Sequence, residues 1–354
     1  MKELLRDNIR NLTPYKCARD DFSAEADVYL DANENFKDFN LGCNRYPDPL
    51  SKALRKKIEE VWGLKKDKTV ILNGSDEAID NIIRMFCKPG MDKILIMPPT
   101  YGVYKVFASI NDVDCLEIPL NLEFEPDIKE IENLMKNEEN QKHVKVLFIC
   151  SPNNPTSNVL SLQKLEEIMN VFPNMVVVDE AYWDFSKEKS AVNLQEKYSN
   201  LIVLRTFSKC WALSGARLGV FYSGIELCNY LKAIKAPYNV SIINQKAGLD
   251  ILKKEKEVKT QLKVIIENRK ELESKLKNIS CVDKVFPSDA NFLLVKVSNA
   301  DEIYKYLSQK KIIVRNRSRE LNCKNCLRFT VGSQKENELL IEALKNYGGE
   351  NENN

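Results

Sequence analysis

Histidine occurs once in the 354 residues, at His143. That leaves no room for a histidine-centred catalytic triad and little for an imidazole-rich metal site. His143 stands among charged residues just ahead of an apolar run, which points to a surface role. Charge of either sign is not in excess: 53 lysines and arginines face 51 aspartates and glutamates, a net +2. A nucleic-acid-binding domain would carry a basic face, so no nucleic-acid partner is expected. No apolar run approaches the roughly 20 residues that span a bilayer. Met1 to Arg10 is charged, without the apolar core of a signal peptide. No membrane partner and a cytoplasmic location are the expectations.

Ten cysteines are present, most of them scattered singly. Dispersed thiols of this kind read as buried and reduced. Cys323 and Cys326 have CxxC spacing, but one such pair without a second is not a zinc signature, and no metal site is expected.

The chain has no internal repeat and no long low-complexity tract. Between about residues 60 and 225, short apolar runs alternate with helical patterns. The runs are Val70 to Leu72, Ile94 to Met97, Val144 to Ile149, Met175 to Val178, Leu201 to Leu204 and Leu218 to Tyr222. Continuous β-rich runs separated by helices predict a mostly parallel sheet buried on both faces. After Gly74, the residues Ala78, Ile79, Ile82, Ile83 and Phe86 fall on one helical face. Beyond about 225 the texture changes. Lys253 to Leu276 is a long charged helix, striped by Val258, Leu262, Ile265, Ile266, Arg269 and Leu272, which bridges to a smaller α+β unit. Its expected strands are Phe292 to Val297, Ile312 to Val314 and Leu327 to Val331.

Polar residues of chemical interest follow the apolar runs, and in open α/β sheets ligands bind at the carboxyl ends of the strands. Gly74-Ser75-Asp76-Glu77 opens a helix whose free N–H groups and dipole suit a phosphate. Pro98-Pro99-Thr100-Tyr101 offers a ring that could stack on a flat cofactor. Ser151 to Thr156 is a stiff loop that presents the Asn154 amide. Asp179 ends an apolar run, where a carboxylate needs a cationic partner, and Tyr182 follows three residues later. Thr206-Phe207-Ser208-Lys209 then places one lysine between hydroxyls, with Arg217 eight residues on. This set suits pyridoxal 5'-phosphate. Lys209 would hold it as a Schiff base, Asp179 would pair with the pyridine nitrogen, and Asn154 and Tyr182 would face the 3-oxygen. Thr206, Ser208 and Arg217 would cup the phosphate.

These residues resemble the fold-type I pyridoxal-phosphate-dependent aminotransferases and, within them, the histidinol-phosphate aminotransferases. Further motifs carry the likeness: Asn11 to Tyr15, Leu30 to Asn35, Arg45 to Pro49 and Arg328 to Gly332. The resemblance implies a seven-stranded, mostly parallel sheet sandwiched by helices, plus a smaller α+β domain. It divides the chain into an N-terminal segment, 1–45, shared by the small domain and dimer contacts, a large domain, 46–260, and a small domain, 261–354. It implies Lys209, Asp179 and Tyr182 as catalytic residues. Ser75, Asp76, Glu77, Tyr101, Asn154, Thr206, Ser208 and Arg217 join them around the cofactor, with Tyr46 reaching in from the partner of a homodimer. Tyr15, Asn33, Arg315 and Arg328 would bind the anionic end of the substrate. The implied reaction is transamination of L-histidinol phosphate with 2-oxoglutarate. The chain departs from the usual pattern at Phe36, at Ser157 and along the polar stretch Asn316 to Asn322. An aromatic transaminase, a threonine-phosphate decarboxylase on the same scaffold and a non-catalytic cofactor-binding protein are the competing expectations.

Overall fold

The computed structural model describes residues 2–15, 17 and 27–351. Seven strands form one sheet: β1 (Thr69–Asn73), β2 (Lys93–Ile96), β3 (Asp114–Glu117), β4 (Val144–Cys150), β5 (Met175–Asp179), β6 (Leu201–Thr206) and β7 (Leu218–Tyr222). Their spatial order is β1-β7-β6-β5-β4-β2-β3, and β7 alone runs against its neighbours. Side chains alternate between faces along each strand. In β5, Val176 and Val178 enter one core, while Met175 and Val177 enter another. Both faces are covered, which is why these strands read as unbroken apolar runs. The helix Ser75–Phe86 buries Ala78, Ile79, Ile82, Ile83 and Phe86 in the second core, on the face its periodicity predicts.

A second sheet joins β8 (Val282–Val285), β9 (Phe292–Val297), β10 (Arg315–Asn316) and β11 (Cys326–Thr330), in the order β10-β11-β9-β8. The helix Glu255–Leu276 connects the two units. Val258 and Leu262 pack on the large core, Leu272 and Leu276 enter the small one, and Ile265 touches both. Arg269 pins the junction, its Nη1 donating to the Ala290 carbonyl at 2.6 Å.

Several expectations need correction. Ile312 to Val314 is not a strand; pairing begins only at Arg315, and Ile313 is left exposed. The helix expected over Lys253 to Leu276 starts two residues later, at Glu255, and Lys253 instead ends a separate helix, Ile242–Lys253. Part of the N-terminal segment 1–45 lies outside the described residues. Its opening turn docks on the large unit rather than the small one, with Leu5 in the second core and the Arg6 N–H on the Met85 carbonyl at 3.0 Å. His143 is not a free surface group: Nδ1 lies 3.0 Å from Asp92 Oδ1 and Nε2 lies 3.1 Å from Glu139. The structure has no disulfide among the described residues, and Cys43 is exposed.

Candidate active site

The strands β1, β2, β4, β5 and β6 all end on the same edge of the sheet, and reversed β7 begins there. Ser75, Asp76, Tyr101, Asn154, Asp179, Tyr182, Thr206, Ser208, Lys209 and Arg217 therefore converge from six separate segments. Together with Cys150 and Ala181 they line one cavity of about 100 Å³.

Asp179 forms the floor. It is buried, its Oδ2 accepts from the Tyr104 hydroxyl at 3.0 Å, and its Oδ1 accepts from the Ala181 N–H at 3.1 Å. Burial raises its pKa to about 6, with the two donors pulling the other way. Tyr104 was not anticipated. It is fully buried in the helix Val103–Ile110, stacks on Phe148 at 4.9 Å and meets the edge of Tyr101. Three residues after Tyr101 it reads as an ordinary core aromatic, and only the fold puts its hydroxyl on Asp179.

Lys209 lies in the turn after β6, with Nζ 5.3 Å from the centre of the Tyr182 ring. Burial, reinforced by the Arg328 cation, lowers its pKa, so the neutral amine becomes more accessible. Tyr182 is itself buried and meets Phe292 of the smaller sheet edge-on at 5.0 Å, which ties the pocket wall to the second unit.

At the other end of the cavity is an anion cradle. Gly74 precedes the helix Ser75–Phe86 with φ +82°, and no side chain caps that helix. Gly219 of β7 passes so close that a Cβ there would lie 2.3 Å from the Gly74 carbonyl carbon. The approach brings the helix N-terminus against Arg217, whose Nη1 donates to Ser208 Oγ at 3.4 Å. Thr206 Oγ1 in turn donates to Ser208 Oγ at 3.0 Å. The Asp76 carboxylate is occupied by Arg217 at 3.3 Å and by the Tyr101 hydroxyl at 3.3 Å. What Asp76 can offer an anion is its main-chain N–H.

Asn153 and Asn154 divide the labour of their loop. Asn153 Nδ2 donates to the Pro99 carbonyl at 2.8 Å, and its Oδ1 accepts from Thr100 at 2.9 Å, which fixes the Tyr101 loop. Asn154 faces the cavity and accepts from Arg328 Nη1 at 2.5 Å. Arg315 stands opposite Arg328 in the β10–β11 ladder and is exposed.

Four expected residues fall elsewhere. Glu77 is a correction: its carboxylate accepts from the Asn73 N–H at 2.5 Å and from Asn239 at 2.9 Å, bracing the turn instead of entering the cavity. Tyr15 is exposed. Asn33 and Tyr46 line a different, shallower cavity of about 510 Å³, where Tyr46 stacks on Tyr238 at 4.3 Å.

The residues present fit pyridoxal phosphate. A buried acid needing a cation lies at one end, an amine in the middle, an aromatic ring at the wall, and N–H groups, hydroxyls and a guanidinium at the far end. The sequence matches the family described as aminotransferase class I and II over residues 22–344. It is 43% identical, over 98% of its length and 97% of the relative's, to the histidinol-phosphate aminotransferase of Christiangramia forsetii. The fold resembles the histidinol-phosphate aminotransferase of Clostridium acetobutylicum, with a TM-score of 0.79 and 26% identity over 88% of this chain and 92% of that one. It also resembles that of Sinorhizobium meliloti solved with pyridoxal-5'-phosphate, with a TM-score of 0.77 and 20% identity over 86% and 83%. The L-threonine-O-3-phosphate decarboxylase of Porphyromonas gingivalis has a similar fold as well, with a TM-score of 0.72 and 22% identity over 87% and 92%.

Proposed function

The chain belongs to the class I and II aminotransferases, and from that premise we propose that it transaminates L-histidinol phosphate with 2-oxoglutarate as amino acceptor. The enzyme is a pyridoxal-phosphate-dependent transferase. The observation that carries the substrate reading is the likeness, at 43% identity and nearly full length, to a histidinol-phosphate aminotransferase. Arg328 supports it, because a guanidinium bonded to the cavity residue Asn154 suits either a phosphate or a carboxylate.

Bound pyridoxal phosphate supplies an electron sink that makes the α-proton of an amine acidic. The chain's own residues do the rest. Ser75, Thr206, Ser208 and Arg217, with the Asp76 N–H, hold the phosphate. Tyr101 would form a wall for the ring, and Asn154 and Tyr182, which line the same cavity, would donate to its 3-oxygen. Asp179 would hold a proton at the pyridine nitrogen, and that cation would offset the cost of burying the carboxylate. Lys209, its pKa lowered, would move the proton to and from the substrate's α-carbon.

The active form we propose is a homodimer in which Tyr46 completes the neighbouring site. Supporting it, Tyr15, Asn33 and Tyr46 lie outside the Lys209 cavity, while Leu30, Phe36 and Leu41 of the same N-terminal region are exposed. A cytoplasmic location agrees with cysteines that form no disulfide among the described residues.

An absorbance titration tests the substrate. The visible band of the purified, cofactor-loaded enzyme should vanish on adding L-histidinol phosphate and return with 2-oxoglutarate. A band indifferent to L-histidinol phosphate would overturn the substrate reading and leave the cofactor in place. Carbon dioxide release from L-threonine O-phosphate would favour the decarboxylase instead.

A further inference from the structure

The polar turn between β10 and β11 contains an arginine that the reaction above does not use. Arg315 stands opposite Arg328, and beyond that ladder the Arg317 N–H donates to the Cys326 carbonyl at 2.8 Å. Side chains alternate along a strand, so Arg315, Arg317 and Arg328 share one face of the smaller sheet. That face looks toward the cavity. Arg328 on it reaches Asn154 of the cavity, and Cys326 belongs to the large core that holds Tyr182, whereas Leu327 belongs to the smaller core on the far side.

Arg317 is only partly engaged. Nη1 donates to Glu320 at 3.2 Å, while the buried Nε has no partner among the described residues. Ser318 Oγ, in the same turn, is also buried with no partner among the described residues. Among the described residues Glu320 is the one carboxylate within ion-pair distance of the three arginines, so the face keeps a positive excess. The field reaches the reacting groups: after burial, Arg317 is the next cause of the lowered Arg328 pKa.

A phosphate monoester is close to a dianion at neutral pH and carries three terminal oxygens. Two guanidiniums match a carboxylate; a third can engage the oxygen that a carboxylate does not have. We propose that Arg317 is a specificity-determining residue, the third guanidinium of a subsite that prefers a phosphate monoester to a carboxylate. The proposal rests on the aminotransferase reading for the position of the site and adds how its anion is chosen.

The test is calorimetric titration of the cofactor-loaded enzyme with inorganic phosphate and, separately, acetate. The loaded enzyme is used because bound cofactor already fills the other phosphate cradle. Arg317→Gln should weaken phosphate about tenfold or more, equivalent to about 1.4 kcal/mol, and leave acetate within about twofold. Glu320→Gln, which releases Nη1, should strengthen phosphate. Arg317→Lys, keeping the charge without the fork, should fall between wild type and Arg317→Gln, and it carries the comparison if Arg317→Gln fails to retain cofactor. Phosphate binding that is unchanged, or that falls in step with acetate, overturns the proposal. The two readings separate cleanly. A wild type inert to L-histidinol phosphate whose phosphate preference still depends on Arg317 loses the substrate and keeps the subsite. An active wild type whose preference ignores Arg317 does the reverse.

Discussion

A carboxylate at the end of a buried strand, with one hydroxyl and one N–H as donors, titrates near 6 in place of 3.8 because burial outweighs both hydrogen bonds. This has a sign. The folded value of Asp179 lies above the unfolded one, so its contribution to stability is fully present below about pH 4, where both states are protonated. It is lost as the pH rises through about 6, and the loss amounts to about 3 kcal/mol. Asp179→Asn in the cofactor-free protein should therefore gain on wild type between pH 4 and 6.5 and keep a constant lead above that. Thermal denaturation across that range would show it, and parallel curves would sink the claim. In the cofactor-loaded protein the lead should shrink, because the pyridine nitrogen supplies the missing cation, while activity is lost with the carboxylate. Tyr104→Phe removes the donor to Oδ2. A hydrogen bond to a charged group contributes about 1.5–3 kcal/mol, so kcat should fall roughly ten- to hundredfold. The acidic limb of the pH profile should move upward as well, a shift that a purely structural loss would not produce. Lys209→Ala should abolish turnover outright, and any residual cycling with 2-oxoglutarate would remove the lysine from its role.

Gly219 shows how an element rather than a residue holds the cofactor cradle. Its Cβ would lie 2.3 Å from the Gly74 carbonyl carbon and 2.4 Å from the Ser75 nitrogen, both backbone atoms that cannot swing aside. Gly219→Ala should push the helix Ser75–Phe86 from β7, costing about 1–3 kcal/mol as overpacking does. Cofactor affinity should drop together with the melting temperature, and equilibrium dialysis would measure it. A variant that binds cofactor normally would mean the close approach is not needed. The elements around this cradle were legible because buried parallel strands are continuous apolar runs, and polar residues at their ends stand out. The edge strands β3 and β8 were not. β3 carries Asp114 and Glu117, and β8 carries Asp283 and Lys284, so half-exposed edges blur the apolar signal. Ile312 to Val314 misled in the opposite sense, being apolar enough for a strand yet unpaired. Glu77 was misplaced because residues i and i+2 at a helix start face different ways, and its carboxylate turned back to the Asn73 N–H. Ser157, one of the departures from the usual pattern, adopts φ +66° and donates through its hydroxyl to the Pro287 carbonyl at 3.2 Å. That loop joins the two units, which no local pattern could reveal.

The whole molecule raises a question that one chain cannot answer for itself: which subunit supplies Tyr46. Within a chain, Glu34 fixes the local geometry by accepting from the Tyr46 N–H at 2.6 Å and from Arg45 at 2.8 Å. This holds Tyr46 on Tyr238, apart from the Lys209 cavity and half exposed. In the homodimer proposed above, a tyrosine so placed would serve phosphate binding by reaching across a two-fold interface, where each subunit repeats the other's contribution. Two crippled variants decide the matter. Lys209→Ala removes the amine, and Tyr46→Ala removes the donated hydroxyl, so each homodimer should be inactive or weak. In a mixed dimer, the Tyr46→Ala subunit keeps its own Lys209 and receives an intact Tyr46 from the other chain. One of the two sites is then whole. Unfolding and refolding an equal mixture should restore about a quarter of wild-type activity, since half the dimers are mixed and each has one good site. If Tyr46 acts within its own chain, no combination assembles a whole site and mixing restores nothing. Sedimentation of the mixture would confirm that dimers had re-formed, so a null result would count against the shared site and not against refolding.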